Sequence, residues 1–278
     1  MNFRRSERLI DMTNYLLEHP RQLVPLTFFA KRYGSAKSSI SEDLAIIKET
    51  FEHRGIGALQ TVPGAAGGVK YYVKVKNEEA EPFIEKLCNL IADPERLLPG
   101  GYLFMTDIIG NPSIVNKVGR LFASAYCDTK IDVVMTIATK GIPIAYAVAS
   151  LLNVPVVIVR GDNKVTEGST VSINYVSGST KRIQTMVLSK RSLAEGSNVL
   201  IVDDFMKAGG TVNGMISMLY EFKANLAGIA VLVESENIEE RLVDEYLSLV
   251  KLSDVDVRAK KINVNKGNYF VKNKGDKR

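Results

Sequence analysis

Residues 198–211 read NVLIVDDFMKAGGT, and this stretch decides the class of fold. The apolar run 199–202 has the composition of a buried strand, and it ends in two adjacent carboxylates, Asp203 and Asp204. Gly209 and Gly210 then lead into a segment, 211–222, whose apolar residues recur at helical spacing. A buried strand followed by a helix is typical of a parallel sheet that helices cover on both faces.

The loop between this strand and this helix has the chemistry of a sugar-phosphate site. The free N–H groups and the dipole of a helix N-terminus favour an anion, and Gly209 and Gly210 let the backbone approach it closely. Thr211 adds a hydroxyl, and Asp203 and Asp204 can accept hydrogen bonds from vicinal ribose hydroxyls. The loop has neither the Walker pattern nor the Gly-x-Gly-x-x-Gly dinucleotide pattern, which excludes both of those sites.

The flanking sequence continues the alternation of strands and helices. We predict helices over 82–92, 112–126, 142–152 and 211–222, and strands over 102–105, 131–137, 156–160, 170–176, 182–188, 199–202 and 226–234. This order predicts an α/β domain with a parallel sheet flanked by helices.

The first 75 residues have a different pattern. Helices are predicted over 9–17, 26–33 and 38–51, followed by strands 58–62 and 69–75 around the Gly-rich loop 63–68. The spacing of Ala30, Gly34 and Ile40 is that of a helix-turn-helix, in which a glycine permits the sharp turn between the helices. We expect Ser38 or Ser39 to cap the third helix, with Ser39 and Glu42 as a capping box. The hairpin would form a wing.

The charge distribution favours nucleic acid as the partner of this N-terminal unit. Residues 1–75 carry a net charge of +4, residues 76–257 a net −6 and residues 258–278 a net +7, within a total of +5. A module that binds protein instead of DNA is the alternative for the three helices. The candidate DNA contacts are Arg4, Arg5, Arg8, Lys37, Ser38, Ser39 and Lys70.

Length and composition agree with two soluble domains. A chain of 278 residues, with 46% hydrophobic and 24% charged residues, excludes a disordered or fibrous protein and allows about two domains. The charged segment 76–81 is predicted to connect them. We therefore predict a winged-helix DNA-binding domain at 1–75 and an effector-binding domain at 76–278.

The sequence indicates a cytoplasmic protein without a membrane span. The uncharged run 141–159 is long enough to cross a bilayer, but Pro143, Asn153 and Pro155 favour a helix, a turn and a buried strand. Polar residues follow Arg4 and Arg5, so we expect no secretory signal. With two cysteines, Cys88 and Cys127, a disulfide scaffold is excluded.

The segment 198–211 resembles the ribose-phosphate signature of type I phosphoribosyltransferases, and further segments agree in the same order. Residues 138–143 (ATKGIP) resemble the diphosphate loop of that family, and residues 163–185 resemble its hood loop between two antiparallel strands. The resemblance implies an effector site made of Tyr102, Ala138, Thr139, Lys140, Gly141, Arg160, Ser177, Gly178, Ser179, Asp203, Asp204, Phe205, Met206, Lys207, Ala208, Gly209, Gly210 and Thr211.

The same segment departs from the pattern of catalytic members. Lys207 and Ala208 stand where those enzymes usually carry small residues and then Thr or Ser. The two histidines, His19 and His53, both lie in the N-terminal unit, and we assign no catalytic residue. We expect no required cofactor and no metal held by protein groups alone. Mg²⁺ would enter only with the diphosphate of an effector.

A winged helix joined to a phosphoribosyltransferase-like domain resembles the purine-operon repressors of Gram-positive bacteria over nearly the whole chain. Residues 202–215 and 168–178 are especially similar. The resemblance implies a homodimer that binds double-stranded DNA at purine-gene control regions. It also implies that 5-phosphoribosyl 1-diphosphate (PRPP) relieves repression and that guanosine tetraphosphate and pentaphosphate (ppGpp) compete for the pocket.

Two other functions stay open on the sequence alone. One is a catalytically active purine phosphoribosyltransferase with an appended regulatory domain. The other is a sugar-phosphate-binding protein whose N-terminal unit binds protein.

Overall fold

The N-terminal part of the chain is a bundle of three helices with a small sheet. A computed structural model describes residues 3–64, 67–162, 168–176, 182–236 and 240–272. The helices are α1 (Arg5–Glu18), α2 (Leu26–Tyr33) and α3 (Lys37–His53). Strands β1 (Val24–Pro25), β2 (Ala58–Val62) and β3 (Gly68–Tyr72) pair antiparallel in the order β1-β3-β2. This confirms the predicted helix-turn-helix followed by a hairpin.

The turn between α2 and α3 depends on Gly34. This residue ends α2 in the left-handed conformation, with φ at 60°. A side chain would be strained there, so glycine permits the abrupt change of direction. The apolar face of α3 then packs against α1 through Ile40, Ile47 and Met12, which are all buried.

The predicted cap of α3 is wrong. The N-cap is Ala36, in an extended conformation and without a side-chain hydrogen bond, and the helix begins at Lys37. Ser38 and Ser39 therefore lie inside the first turn, two and three positions beyond the N-cap, where they cannot form the expected box with Glu42. The turn between the two helices, 34–36, is one residue shorter than the prediction assumed.

The charged segment 76–81 is also not a connector. Helix α4 (Asn77–Ile91) begins at Asn77, five residues before Pro82, and Glu78 and Glu79 in its first turn suit the positive end of the helix dipole. Pro82 lies inside the helix and removes the N–H that would otherwise bond to the carbonyl of Glu78. The two predicted domains therefore follow one another with almost no free linker.

The second part of the chain is an α/β unit around a six-stranded sheet. Its strand order is β13-β12-β11-β10-β6-β7, and β13 alone pairs antiparallel. The sheet strands are β6 (Val133–Ile137), β7 (Val156–Val159), β10 (Asn198–Met206), β11 (Asn225–Ser235), β12 (Leu247–Asp256) and β13 (Lys261–Lys266); the hairpin strands are β4 (Leu97–Leu98) and β5 (Tyr102–Leu103). The helices are α5 (Thr106–Ile109), α6 (Pro112–Ala125), α7 (Ile142–Leu152), α8 (Gly210–Glu221) and α9 (Tyr269–Lys272).

The strands of this sheet are buried on both faces, as their apolar composition predicts. Leu200 and Val202 of β10 belong to the core that includes α6 and α7. Val199 and Ile201, which point to the opposite face, belong to the core that includes α8. Successive side chains of β10 thus pack alternately into two separate hydrophobic layers, one on each face of the sheet.

A separate antiparallel pair packs over α8. Strands β8 (Thr170–Val176) and β9 (Ile183–Ser189) pair in register from Thr170–Ser189 to Val176–Ile183. A Cβ atom on Gly214 of α8 would lie 3.0 Å from Tyr175 of β8 and from Met186 of β9. Glycine therefore permits the close approach of this pair, which confirms the predicted β hood.

Hydrogen bonds between described residues join the two parts of the chain. Arg120 of α6 donates to the carbonyl of Gly55 at 2.7 Å, and Arg21 donates to the carbonyl of Thr129 at 2.8 Å. The backbone N–H of Val75 donates to the Ser124 hydroxyl at 2.9 Å. Among the described residues, no helix has the length and apolar character needed to cross a membrane.

Candidate functional site

A cavity of about 730 Å³ lies at the carboxyl ends of the parallel strands. Ligand sites of α/β sheets form at this edge. The lining comes from the loop after β6, the end of β10 with the start of α8, β12, and the hairpin of β4 and β5. The predicted residues in the lining are Tyr102, Lys140, Asp204, Phe205, Met206, Lys207, Ala208, Gly209, Gly210 and Thr211.

The two carboxylates at the end of β10 have different environments. Asp204 is half-buried and lines the cavity, whereas Asp203 is 3% exposed and is not part of the lining. The Oδ1 atom of Asp203 accepts a hydrogen bond of 2.9 Å from the backbone N–H of Asp204. Strand β10 extends to Met206, four residues beyond the predicted end, so the side chains of the two aspartates alternate across the sheet.

Burial raises the pKa of both carboxyls. For Asp203 the loss of hydration is the main cause, and the neighbouring charge of Asp204 raises its pKa further. Burial also raises the pKa of Asp204, while the ammonium group of Lys140 opposes that rise. The pair therefore favours a ligand that brings hydrogen-bond donors or a cation to it.

The predicted phosphate loop, residues 207–210, is shaped by two glycines. Gly209 has φ at 84°, and α8 begins at Gly210. A Cβ atom at Gly209 would lie 3.1 Å from Val243, so a side chain is excluded by both conformation and space. The first N–H groups of α8 have no partner within the helix and lie where the cavity is lined by 209–212.

The second predicted loop lies between β6 and α7. Of its members, Lys140 lines the cavity, whereas Ala138, Thr139 and Gly141 do not. A Cβ atom on Gly141 would lie 2.2 Å from the Thr136 hydroxyl and 3.0 Å from Asp203 Oδ1. Glycine is thus required for this loop to approach the end of β10. The peptide bond between Ala138 and Thr139 is cis.

The remaining predicted residues lie at different places relative to the cavity. Tyr102 is 58% exposed at the cavity rim. Arg160 forms a β-bridge with Val187 and is not in the lining. Ser177, Gly178 and Ser179 lie outside the described residues. Tyr175, next to them, has its pKa raised by burial, and a hydrogen bond with the Thr211 side chain opposes that rise.

About half of the residues that line the cavity were not predicted from the sequence. β12 was not predicted, yet it reaches the cavity because it pairs with β11. The two glycines before β5 also line the cavity, and a Gly-Gly pair is a turn signal visible in the sequence. The missed residues are Gly100, Gly101, Leu103, Met105, Val212, Ser235, Leu252, Ser253, Asp254, Val255 and Val257.

The candidate DNA contacts fall into two groups. Arg4, Lys37 and Ser38 are exposed, and Ser39 and Lys70 are half-buried. Lys37, Ser38 and Ser39 lie on the first turn of α3, and Lys70 lies on the wing strand β3.

Arg5 and Arg8 form the second group, because both bind a carboxylate of α3. Arg5 Nε donates to Asp43 Oδ1 at 2.9 Å, and Arg8 Nε donates to Asp43 Oδ2 at 3.0 Å. Asp43 is fully buried, so these contacts fix α1 against α3. The side chain of Arg5 is still half exposed, whereas that of Arg8 is only 14% exposed.

Two family models match the chain in the order that the fold shows. "Bacterial purine repressor, N-terminal" matches residues 4–73, and "Phosphoribosyl transferase domain" matches residues 105–265. The purine biosynthesis transcriptional repressor PurR of Bacillus subtilis is 68% identical over 270 residues, which cover 97% of this chain and 95% of the relative.

The chain belongs to the bacterial purine repressor family. A second relative in this family, the purine biosynthesis transcriptional activator PurR of Lactococcus lactis strain IL1403, is 50% identical over 96% of this chain and 98% of its own length. The family thus includes proteins named as repressors and as activators.

Solved structures show the fold of the second unit. Adenine phosphoribosyltransferase from Rhodothermus marinus matches with a TM-score of 0.54 at 20% identity, covering 62% of this chain and 99% of the enzyme. The enzyme from Thermoanaerobacter pseudethanolicus matches with a TM-score of 0.53 at 21% identity, covering 60% and 99%. This purine repressor family member therefore carries a DNA-binding unit on a phosphoribosyltransferase fold, as predicted.

Proposed function

We propose that the protein is a DNA-binding repressor of purine biosynthesis and related genes, with PRPP as its inducing effector and ppGpp as a competing ligand. The observation that carries this proposal is the phosphate loop at the start of α8, which opens into a cavity on the same chain as a winged helix. The protein would act as a homodimer on double-stranded DNA, because such readers bind paired half-sites.

The cavity has the size and chemistry that PRPP requires. About 730 Å³ lies within the usual range for a small-ligand site. The N-terminus of α8 suits the 5′-phosphate, and Lys140 and Lys207 supply positive charge for the diphosphate. Asp204 suits the ribose hydroxyls. Mg²⁺, if it accompanies the diphosphate, would find the carboxylates of Asp204 and Asp254 in the lining.

Guanosine tetraphosphate suits the same cavity for related reasons. It also presents phosphates on a ribose, and it adds a purine base for which Tyr102 and Phe205 offer aromatic surface. Two ligands that use one phosphate loop exclude each other. Competition between them therefore needs no second site.

A sensor fits the cavity better than a transferase does. Lys207 stands in the loop where catalytic members usually carry a small residue and would fill room that a reacting base needs, and both histidines of the chain lie in the N-terminal unit. The enzymatic alternative rests on a relative: xanthine phosphoribosyltransferase of Lactococcus lactis strain SK11 is 28% identical over 146 residues, 51% of this chain and 74% of the enzyme.

Binding of the effector and binding of DNA would be coupled because the effector has a different affinity for the free and for the DNA-bound protein. PRPP relieves repression if it binds the free protein more tightly than the DNA-bound protein, and DNA then weakens PRPP binding by the same factor. The contact from Arg120 of α6 to the carbonyl of Gly55 joins the two units at the turn between α3 and β2.

Fluorescence anisotropy on a purine-gene control region tests the proposal. At fixed moderate salt and Mg²⁺, we expect tight binding that PRPP releases and that ppGpp restores. The double substitution of Asp203 and Asp204 by alanine should abolish the response to PRPP while DNA binding persists. Loss of DNA binding in this variant, if it is folded, would contradict the proposal that PRPP and DNA bind at separate sites.

Turnover assays separate the alternatives. Release of pyrophosphate from PRPP with adenine, guanine, xanthine or uracil would establish the transferase. No salt-dependent binding to any DNA would instead favour an N-terminal unit that binds protein.

A further inference from the structure

One buried carboxylate organises the segment 240–246, which follows β11. Glu234, near the end of β11, is 5% exposed and pairs in the sheet with Met206, the residue before the phosphate loop. Its Oε2 atom accepts from Arg241 Nη1 at 2.8 Å and from the Tyr246 hydroxyl. Its Oε1 atom accepts from the Ser248 hydroxyl at 2.6 Å. All the described polar contacts of this carboxylate are thus donated from outside its own strand.

Arg241 joins the carboxylate of Glu234 to the backbone of Ser235 and to the side chain of Tyr246. Its guanidinium also donates to the carbonyl of Ser235 and to the Tyr246 hydroxyl, and it lies 5.1 Å from the centre of the Tyr246 ring. The side chain is 20% exposed. A planar guanidinium can make these contacts together because its N–H groups point in fixed directions.

The anchored segment holds the phosphate loop from the side away from the cavity. The backbone N–H of Leu242 donates to the carbonyl of Ala208 at 2.9 Å, and Val243 packs against Gly209. No described residue of 240–246 lines the cavity. The bond from Leu242 engages a carbonyl oxygen that would repel an anion if it turned towards the ligand, while the N–H groups of α8 stay available.

We infer that Arg241 is a positioning residue for the phosphate loop: its ion pair with buried Glu234 fixes segment 240–246 against residues 207–210 and so orders the loop before a phosphorylated ligand binds. The inference deepens the proposed function and rests on it, since PRPP is taken as the ligand. A preordered loop binds more tightly because less conformational entropy is lost on binding.

Hydrogen exchange of the full-length, ligand-free protein tests the positioning role without any ligand. In Arg241→Gln we expect the amide of Leu242, which is bonded to Ala208, to exchange at least 10-fold faster than in the wild type. The amide of Val134, in the central sheet, should keep its wild-type rate. Unchanged protection of Leu242 would overturn the inference.

Calorimetric titration with PRPP tests the consequence. We expect Arg241→Gln to bind PRPP at least 5-fold more weakly, with less than a twofold change in DNA affinity without effector. Arg241→Lys keeps the charge and should recover part of the affinity. Lys223→Gln, which removes an exposed ion pair with Glu195, is the control and should match the wild type.

The remaining outcomes of the two experiments distinguish a failure of the inference from a failure of the proposed function. Wild-type affinity for PRPP in Arg241→Gln, despite rapid exchange at Leu242, would overturn the inference. A wild-type protein that does not bind PRPP would overturn the proposed function, and the exchange of Leu242 would then decide the inference alone. If Arg241→Gln also exposes Val134, the milder Tyr246→Phe, which removes one hydroxyl from the network, replaces it under the same criteria.

Discussion

Replacing Asp203 by asparagine should stabilise the ligand-free protein. The carboxyl is 3% exposed, and its Oδ1 atom accepts the N–H of Asp204 at 2.9 Å. An asparagine side chain has the same shape and can accept the same hydrogen bond through its amide oxygen. The substitution therefore removes a buried charge and leaves the packing around it unchanged.

The gain should depend on pH in a defined direction. Burial and the charge of Asp204 raise the pKa of Asp203 above its ordinary value of 3.8. The folded state then holds this proton more tightly than the unfolded chain, so wild-type stability falls as pH rises from the unfolded pKa towards the folded pKa. Asparagine has no proton to lose, and the advantage of the variant should grow from acid to neutral pH.

The size of the effect follows from the cost of an incompletely compensated buried polar group, about 1–3 kcal/mol. A domain of this size changes its melting temperature by about 2–4 °C per kcal/mol. At neutral pH we therefore expect Asp203→Asn to melt about 2–12 °C above the wild type.

Thermal unfolding at pH 4.5, 6.0 and 7.5, followed by circular dichroism without effector, measures this difference. Asp254→Asn is the matched control, because Asp254 is an exposed carboxylate in the lining of the same cavity. A variant that melts below the wild type at every pH, or whose gain is independent of pH, would refute the reasoning.

Three further predictions concern the loop, the DNA surface and the junction. Gly141→Ala should lower stability by about 1–3 kcal/mol, measured by urea unfolding, because its Cβ would lie 2.2 Å from the Thr136 hydroxyl. Lys37→Ala and Lys70→Ala should each reduce the slope of log affinity for DNA against log salt by about 1, measured by anisotropy. Arg120→Ala removes a hydrogen bond between the units, and should reduce the PRPP-induced loss of DNA affinity by about 2- to 30-fold.

Each of these predictions has a control in the same chain. Gly161→Ala should be tolerated, since its nearest contact would be 3.9 Å from the new Cβ. Ser38→Ala removes no charge and should leave the salt slope unchanged. Lys117→Ala, on the same helix as Arg120, should keep the wild-type response to PRPP. Equal effects in variant and control would contradict the corresponding prediction.

Local patterns were sufficient where one segment determines its own structure. Helices α2 and α7 have their predicted bounds, and Gly34 ends α2 as predicted, because glycine, proline and apolar spacing mark these positions within a few residues. The loop 207–210, whose two glycines lead into α8, followed from the same kind of signal. In each case the residues that form the element also carry the information that specifies it.

The parts that were missed depend on distant partners. Strand β13 lies at the edge of the sheet and carries charged residues, and it pairs with β12, whose second half is also charged. Strand β12 in turn pairs with β11. The end of β10 was placed too early because Asp203 and Asp204 interrupt the apolar pattern, although the neighbouring strand continues beside them. No local signal shows that β12 forms a wall of the cavity.

The antiparallel strand β13 has a consequence for the order in which the chain folds during synthesis. Lys266 of this strand binds Glu81 and Glu85 of α4, which were made 185 and 181 residues earlier. At about 5–20 residues per second, helix α4 leaves the ribosome roughly 10–40 s before its partner strand exists. The winged helix can fold in that interval, but the face of α4 that packs on β12 and β13 stays uncovered until those two strands have been made.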